Sequence, residues 1–170
     1  NLTTLVKPIK YAELATTLAM ALAGKSTQST IGLDRSAGSF VKYSLPFRKI
    51  LIAEDNLINQ EVIKAYVGKL GVNATIVSSG KEVLSAYEIE DYDLILMDIE
   101  MPGMDGVEAT HEIRRREIRT TTRIPILAMT AHAMRGDREE YLAAGMDGYI
   151  SKPIRFVDLT TALSDVASSS

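Results

Sequence analysis

Cysteine is absent from this chain of 170 residues, and histidine occurs twice, at His111 and His132. Without thiols, disulfides and thiolate metal sites are excluded. Two imidazoles alone supply zinc poorly. A basic excess is also missing: 19 Lys and Arg stand against 22 Asp and Glu, a formal net charge of -3. Nucleic acid is therefore not expected as a direct partner, because nothing would neutralise a phosphate backbone. No apolar run approaches the roughly 18 residues that a membrane span needs. The chain opens at Asn1 without a basic-then-apolar leader and is read as a fragment of a longer cytoplasmic protein. What is present is an ordinary globular composition, 46% hydrophobic and 24% charged. That suffices for one core of ordinary size plus an extra segment.

Three regions separate. Residues 1–23 hold a Lys-Pro pair followed by an amphipathic stretch, with Leu14, Leu18 and Leu22 on one helical face. Residues 24–46 are rich in Ser, Thr and Gly without a period, a linker composition. Residues 47–168 alternate short apolar runs with helical patterns. The runs lie at 50–53, 74–77, 94–97, 126–129 and 148–150. Continuous apolar runs indicate strands covered on both faces, as in a parallel sheet. The first helical pattern places Ile58, Val62, Ile63, Tyr66, Val67 and Leu70 on one side, with Gly71 just past its end as a C-cap. Others are expected near 80–90, 105–117, 132–144 and 155–167, with Gly145 stopping the fourth. Five βα units predict a doubly wound α/β fold with helices on both faces of the sheet.

The start of the chain also resembles its end. Leu5-Val6-Lys7-Pro8-Ile9-Lys10-Tyr11 parallels Ile150-Ser151-Lys152-Pro153-Ile154-Arg155-Phe156, and the likeness continues through Leu14 and Leu159. Helical period does not require a shared Lys-Pro-Ile-basic-aromatic start. Residues 1–23 are read as the last strand-helix unit of a preceding domain of the same fold.

Ligands of an open parallel sheet bind at the carboxyl ends of its strands. Glu54 and Asp55 follow the first run, Asp98 the third, Thr130 the fourth and Lys152 the fifth. Each alone has an ordinary explanation, such as a helix cap, a turn or a solvated charge. Together they bring three carboxylates, a hydroxyl and an ammonium to one edge. Two carboxylates about 4 Å apart repel by roughly 4 kcal/mol at an effective dielectric near 20. Such a cluster needs a cation, or one member must keep its proton. Oxygen donors without thiolate or imidazole suit Mg²⁺ or Mn²⁺. Thr130 and Lys152 can meet phosphoryl oxygens, leaving Asp98 as a nucleophile that would form an acyl phosphate.

These motifs resemble the receiver domain of response regulators and hybrid histidine kinases. Ile50-Leu51-Ile52-Ala53-Glu54-Asp55-Asn56 is similar to its first strand and acid pair. Leu94 to Gly106, containing Met97-Asp98-Ile99-Glu100-Met101-Pro102-Gly103, is similar to its phosphorylation loop. Met129-Thr130-Ala131 and Tyr149-Ile150-Ser151-Lys152-Pro153 follow in the expected order. The resemblance covers about residues 47–168. It implies a flavodoxin-like five-stranded parallel sheet of order 2-1-3-4-5. It implies Mg²⁺ held by Asp55, Asp98 and the backbone carbonyl of Glu100, with Glu54 helping through water. It further implies that Thr130 and Tyr149 move together on phosphorylation, and that the Lys152-Pro153 bond is cis. The implied donor is a phosphohistidine on a histidine kinase or histidine phosphotransfer domain, or on a kinase core of the same polypeptide. With the remnant at 1–23, tandem receivers point to a hybrid kinase and a phosphorelay. Glu100 and His132, each two residues past a site residue, are expected to border the phosphoryl group. Leu57, Ile58 and Pro153 are nominated as docking contacts for the phosphotransfer partner.

His111 and the basic run from Arg114 to Arg119 are read as a solvated helical face. The chain is read as a signalling switch that catalyses only its own phosphorylation and dephosphorylation. Two alternatives stand beside this. One is a pseudo-receiver acting as an interaction scaffold. The other is a Mg²⁺-dependent phosphohydrolase of the haloacid dehalogenase type, which would require an Asp where Glu100 stands.

Overall fold

Five short strands form because each apolar run can be covered on both sides. The computed structural model describes residues 45–118, 122–132 and 135–169. The strands are β1 (Lys49–Ala53), β2 (Asn73–Val77), β3 (Leu94–Asp98), β4 (Ile126–Thr130) and β5 (Gly148–Ser151). All neighbours pair in parallel, in the order β2-β1-β3-β4-β5 that the resemblance implies. The central strands β3 and β4 are buried at every position, whereas the edge strand β2 is half-buried. The helices are α1 (Leu57–Lys69), α2 (Gly80–Ile89), α3 (Gly106–Glu117), α4 (Arg135–Ala143) and α5 (Phe156–Ser169). The strand-helix remnant expected at 1–23 and the linker up to residue 44 lie outside the described residues.

Alternation along each strand divides the core into two layers. Ile50, Ile52, Leu94 and Leu96 pack with Ile63 and Val67 of α1 and Leu159 and Leu163 of α5. Leu51, Ile95, Met97 and Ile126 pack with Val83 of α2, Ile113 of α3 and Tyr141 of α4.

The helix ends carry the chemistry that the sequence signals. The Asn56 side chain caps α1 by accepting from Ile58 N and Asn59 N at 2.9 and 3.2 Å. Asp105 and Glu108 form a reciprocal capping box on α3. Gly71 and Gly145 follow α1 and α4 with φ of 73° and 98°, a backbone region that favours glycine. Gly106 is required for a different reason. A Cβ there would fall 2.2 Å from the carbonyl oxygen of Asp98. The absence of a side chain lets α3 start directly against the end of β3.

Two expectations change. The apolar arc of α1 is wider than the stripe it buries: Ile63 and Val67 are fully covered, but Ile58 and Val62 are exposed. The basic run of α3 is also not uniformly solvated. His111 and Arg115 are exposed, as expected. Arg114 instead lies beneath the start of β4. Its Nε donates to Gly145 O at 2.8 Å, and Nη1 donates to Ile124 O at 2.9 Å and Glu117 at 2.6 Å. Nη2 reaches Asp147 at 3.0 Å. Glu117 and Asp147 in turn accept from the backbone N–H groups of Ile124 and Ile126. Helical period assigns Arg114 a face but does not show that a carbonyl 31 residues later will meet it.

Arg114 therefore closes the sheet edge opposite the carboxyl ends. Replacing it by Met keeps the aliphatic stem and removes every donor. The expected loss of stability is about 3 kcal/mol, because Glu117 is nearly buried and loses its guanidinium. Urea denaturation checks this beside Arg115→Met, whose side chain is 67% exposed and whose loss should be a small fraction of that. Equal losses in the two variants would refute the closing role.

Candidate functional site

The carboxyl edge of the sheet gathers what the sequence placed there. Glu54 follows β1 and is fully buried, and Asp55 beside it is exposed. Asp98 and Thr130, the last residues of β3 and β4, are 2% and 1% exposed. Lys152 follows β5, and its N–H donates to Thr130 O at 2.7 Å. The Lys152-Pro153 peptide is cis, as expected. Glu54, Asp55 and Asp98 each bring a carboxylate oxygen within 4.8 Å of the others.

Lys152 sits at the centre of this group. Its Nζ donates to Asp98 Oδ2 at 2.6 Å and lies 2.8 Å from Glu54 Oε2. The second contact is an ion pair without hydrogen-bond geometry, so buried Oε2 has charge compensation but no donor. The other Glu54 oxygen, Oε1, is held by Asn59 Nδ2 at 2.8 Å. Gln60 Nε2 fixes the Glu54 carbonyl at 2.6 Å. The other Asp98 oxygen, Oδ1, accepts from Glu100 N at 3.1 Å.

Electrostatics follow from this geometry. Burial pushes the Asp98 carboxyl above its usual range; the Lys152 hydrogen bond opposes the rise and the Glu54 charge adds to it. Burial works against the charge on Lys152, but the hydrogen bond with Asp98 and the charge of Glu54 outweigh it and raise its affinity for the proton. One ammonium faces three carboxylates, so the cluster is short of positive charge. Its donors are all oxygens, and Glu54 Oε2 is buried without a hydrogen-bond donor. A hard divalent cation fits both features.

The remaining expected residues surround this cluster. The Glu100 side chain meets His132, with Oε1 and Nδ1 3.2 Å apart. The Thr130 hydroxyl accepts from His132 N at 2.9 Å and lies 2.9 Å from both His132 O and Tyr141 Oη. Tyr149 is turned outward, 36% exposed, with the Arg138 guanidinium 5.9 Å from its ring centroid. Leu57 and Ile58, at the start of α1, are 73% and 75% exposed, and Pro153 is exposed as well. Core packing of Ile58 is thereby excluded. With Val62 and Tyr66 these two residues line a shallow apolar groove.

Three participants were not assigned a role from the sequence. Asn59 and Gln60 carry a faint signal, two amides just after the acid pair. Tyr141 carries none, because an aromatic on the inner side of a helix reads as core.

A family model described as the response regulator receiver domain matches residues 50–164. The chain is 47% identical over 112 residues to hybrid signal transduction histidine kinase I of Dictyostelium discoideum, across 63% of the chain and 6% of that protein. It is 40% identical over 107 residues to the sensor histidine kinase GacS of Pseudomonas protegens, across 62% of the chain and 12% of that protein. It thus spans a small part of these relatives. Among solved structures, it is similar to the receiver domain of sensor histidine kinase PA1611 from Pseudomonas aeruginosa, which has a magnesium ion coordinated in the active site cleft. That TM-score is 0.64 at 41% identity, covering 71% of this chain and 98% of the other. It is also similar to a co-crystal structure of the Saccharomyces cerevisiae histidine phosphotransfer protein Ypd1 and the receiver domain of the response regulator Ssk1. There the TM-score is 0.68 at 26% identity, with coverages of 71% and 89%.

A raised Asp98 has a measurable consequence. A carboxyl whose folded pKa lies above its unfolded value binds its proton more tightly in the folded state. Stability then falls as pH rises from the ordinary carboxylate range through the folded pKa. Asp98→Asn is expected to raise the thermal midpoint in metal-free buffer at pH 7.5. The gain should shrink below about pH 4, where an unfolded Asp is also protonated. Thermal unfolding across pH in chelator tests this. No gain at neutral pH would show that Lys152 fully compensates Asp98.

Proposed function

Because the chain belongs to the response regulator receiver domain family, we propose that Asp98 is its phosphoacceptor, taking a phosphoryl group from a phosphohistidine. The observation that carries this reading is the buried cluster in which Lys152 bridges Asp98 and Glu54. In the transfer, an Asp98 carboxylate oxygen forms a bond to phosphorus while the phosphorus–nitrogen bond breaks and imidazole leaves. The product is an acyl phosphate on Asp98. Asp55, Asp98 and the Glu100 carbonyl would hold Mg²⁺, with Glu54 acting through water. Bound there, the ion supplies the positive charge that the carboxylates and the phosphoryl oxygens need. Lys152 neutralises a further phosphoryl oxygen, and Thr130 donates a hydrogen bond to another. Most of the catalysis is positioning and charge compensation.

Receiver domains are signalling switches, and this chain acts as one, with Thr130 and Tyr149 as its moving parts. Its partner is a histidine phosphotransfer domain or a histidine kinase, which a kinase core of the same polypeptide could supply. Leu57, Ile58 and Pro153 form the docking surface, since they flank the acidic edge and expose apolar groups there. Residues 1–23 are the end of a preceding receiver-like domain, joined by a linker at 24–46, in a cytoplasmic hybrid kinase. No helix among the described residues is long and apolar enough to cross a membrane.

Intact-mass spectrometry after incubation with acetyl phosphate and Mg²⁺ tests the acceptor. One phosphoryl mass is expected on the wild type, and none on Asp98→Asn or after chelation. An adduct that persists on Asp98→Asn would place the acceptor elsewhere; no adduct on an intact fold would favour an interaction scaffold. For docking, Ile58→Asp should slow transfer from a histidine phosphotransfer protein by about tenfold or more. Acetyl phosphate should still react at the wild-type rate. Unchanged protein-to-protein transfer would remove Ile58 from the interface.

A further inference from the structure

Thr130 must present a hydroxyl to the phosphoryl group, yet its hydrogen-bonding capacity is already filled. A hydroxyl has one hydrogen to donate and two lone pairs. Thr130 Oγ1 accepts from His132 N at 2.9 Å and can donate to His132 O at 2.9 Å. The remaining lone pair faces Tyr141 Oη at 2.9 Å. All three partners belong to the segment that follows β4. Both hydroxyls are enclosed, with Thr130 1% and Tyr141 6% exposed. Water cannot readily replace a partner that leaves.

We propose that Tyr141 is a positioning residue, a latch whose phenol holds Thr130 in a retracted orientation and sets how readily it turns to the phosphoryl group on Asp98. The proposal rests on the reading of Asp98 as phosphoacceptor. For Thr130 to turn toward Asp98, it must give up the His132 carbonyl and break from Tyr141. The buried phenol then has His132 O, at 3.4 Å, as its nearest alternative acceptor. That bond is longer and weaker, so the engaged state is penalised relative to the retracted one. The latch also links the site to α4. Tyr141 lies in the last turn of that helix and packs in the core beneath it, so breaking the pair alters what holds the helix's C-terminal end. Phe at this position keeps the ring and its packing and removes the hydrogen bond alone.

The test is the rate of phosphorylation by acetyl phosphate at saturating Mg²⁺ in four chains: wild type, Tyr141→Phe, Thr130→Ala and the double variant. Loss of one neutral hydrogen bond from the retracted state should make Tyr141→Phe about fivefold faster than wild type. In the Thr130→Ala background the same substitution should change nothing, because the latch acts through Thr130. An equal effect in both backgrounds would mean that Tyr141 acts through packing, and an unchanged or slower Tyr141→Phe would also overturn the latch. A second readout needs no phosphorylation. The Thr130 methyl resonance and its three-bond couplings in unphosphorylated Tyr141→Phe should report a second χ1 rotamer, and a rotamer identical to wild type would refute the latch. If the wild type takes up no phosphoryl group, the phosphoacceptor reading fails while the rotamer measurement still decides the latch.

Discussion

A single ammonium holds the acidic edge of this protein together. Lys152 arrives from the end of the sheet order and bonds Asp98 while pairing with Glu54, which come from two other strands. Buried carboxylates repel one another strongly where water is excluded. That cation lies against both carboxylates where exposure is lowest. The parallel sheet makes the meeting possible, since it delivers every strand's carboxyl end to the same side. The Lys152 N–H bond to Thr130 O anchors the residue that carries the ammonium against β4.

The compensation is incomplete. The structure satisfies Glu54 Oε1 with Asn59 and Asp98 Oδ1 with a backbone N–H, yet leaves Glu54 Oε2 without a donor. A site saturated with its own hydrogen bonds would have little affinity for a cation or a phosphoryl group. Here the carboxylates outnumber the ammonium, so a bound cation would relieve an existing imbalance. The opposite edge is built on the other principle. Arg114 joins Glu117, Asp147 and two backbone carbonyls, and the carboxylates take up nearby N–H groups. One end of the sheet is closed and the other is left reactive.

On the proposed switch reading, transmission of a signal would also begin at this edge. Thr130 is engaged by the loop and helix after β4, and Tyr149 is turned outward. On that reading, a move of either residue would alter contacts with α4.

Much of this was legible in the sequence. Apolar runs of four residues, helical periods between them and glycines at 71 and 145 specify the five βα units. The site residues were legible because parallel strands must send their following residues to one edge. Contacts made across long separations were not. Helical period placed Ile58 and Val62 with the core, but the buried stripe of α1 is narrower than its apolar arc. Arg114 looked like any cation in a basic run, since nothing local announces the carbonyls of Ile124 and Gly145. Tyr141 looked like core because burial and hydrogen bonding are indistinguishable in a pattern of apolar positions. The sequence alone thus determined which side chains exist, which strands they end and what chemistry their types permit. The tertiary structure decided which oxygen is left without a donor, which hydroxyl is already occupied and which arginine is buried. These are distances between segments far apart in the chain, and no local pattern encodes a distance.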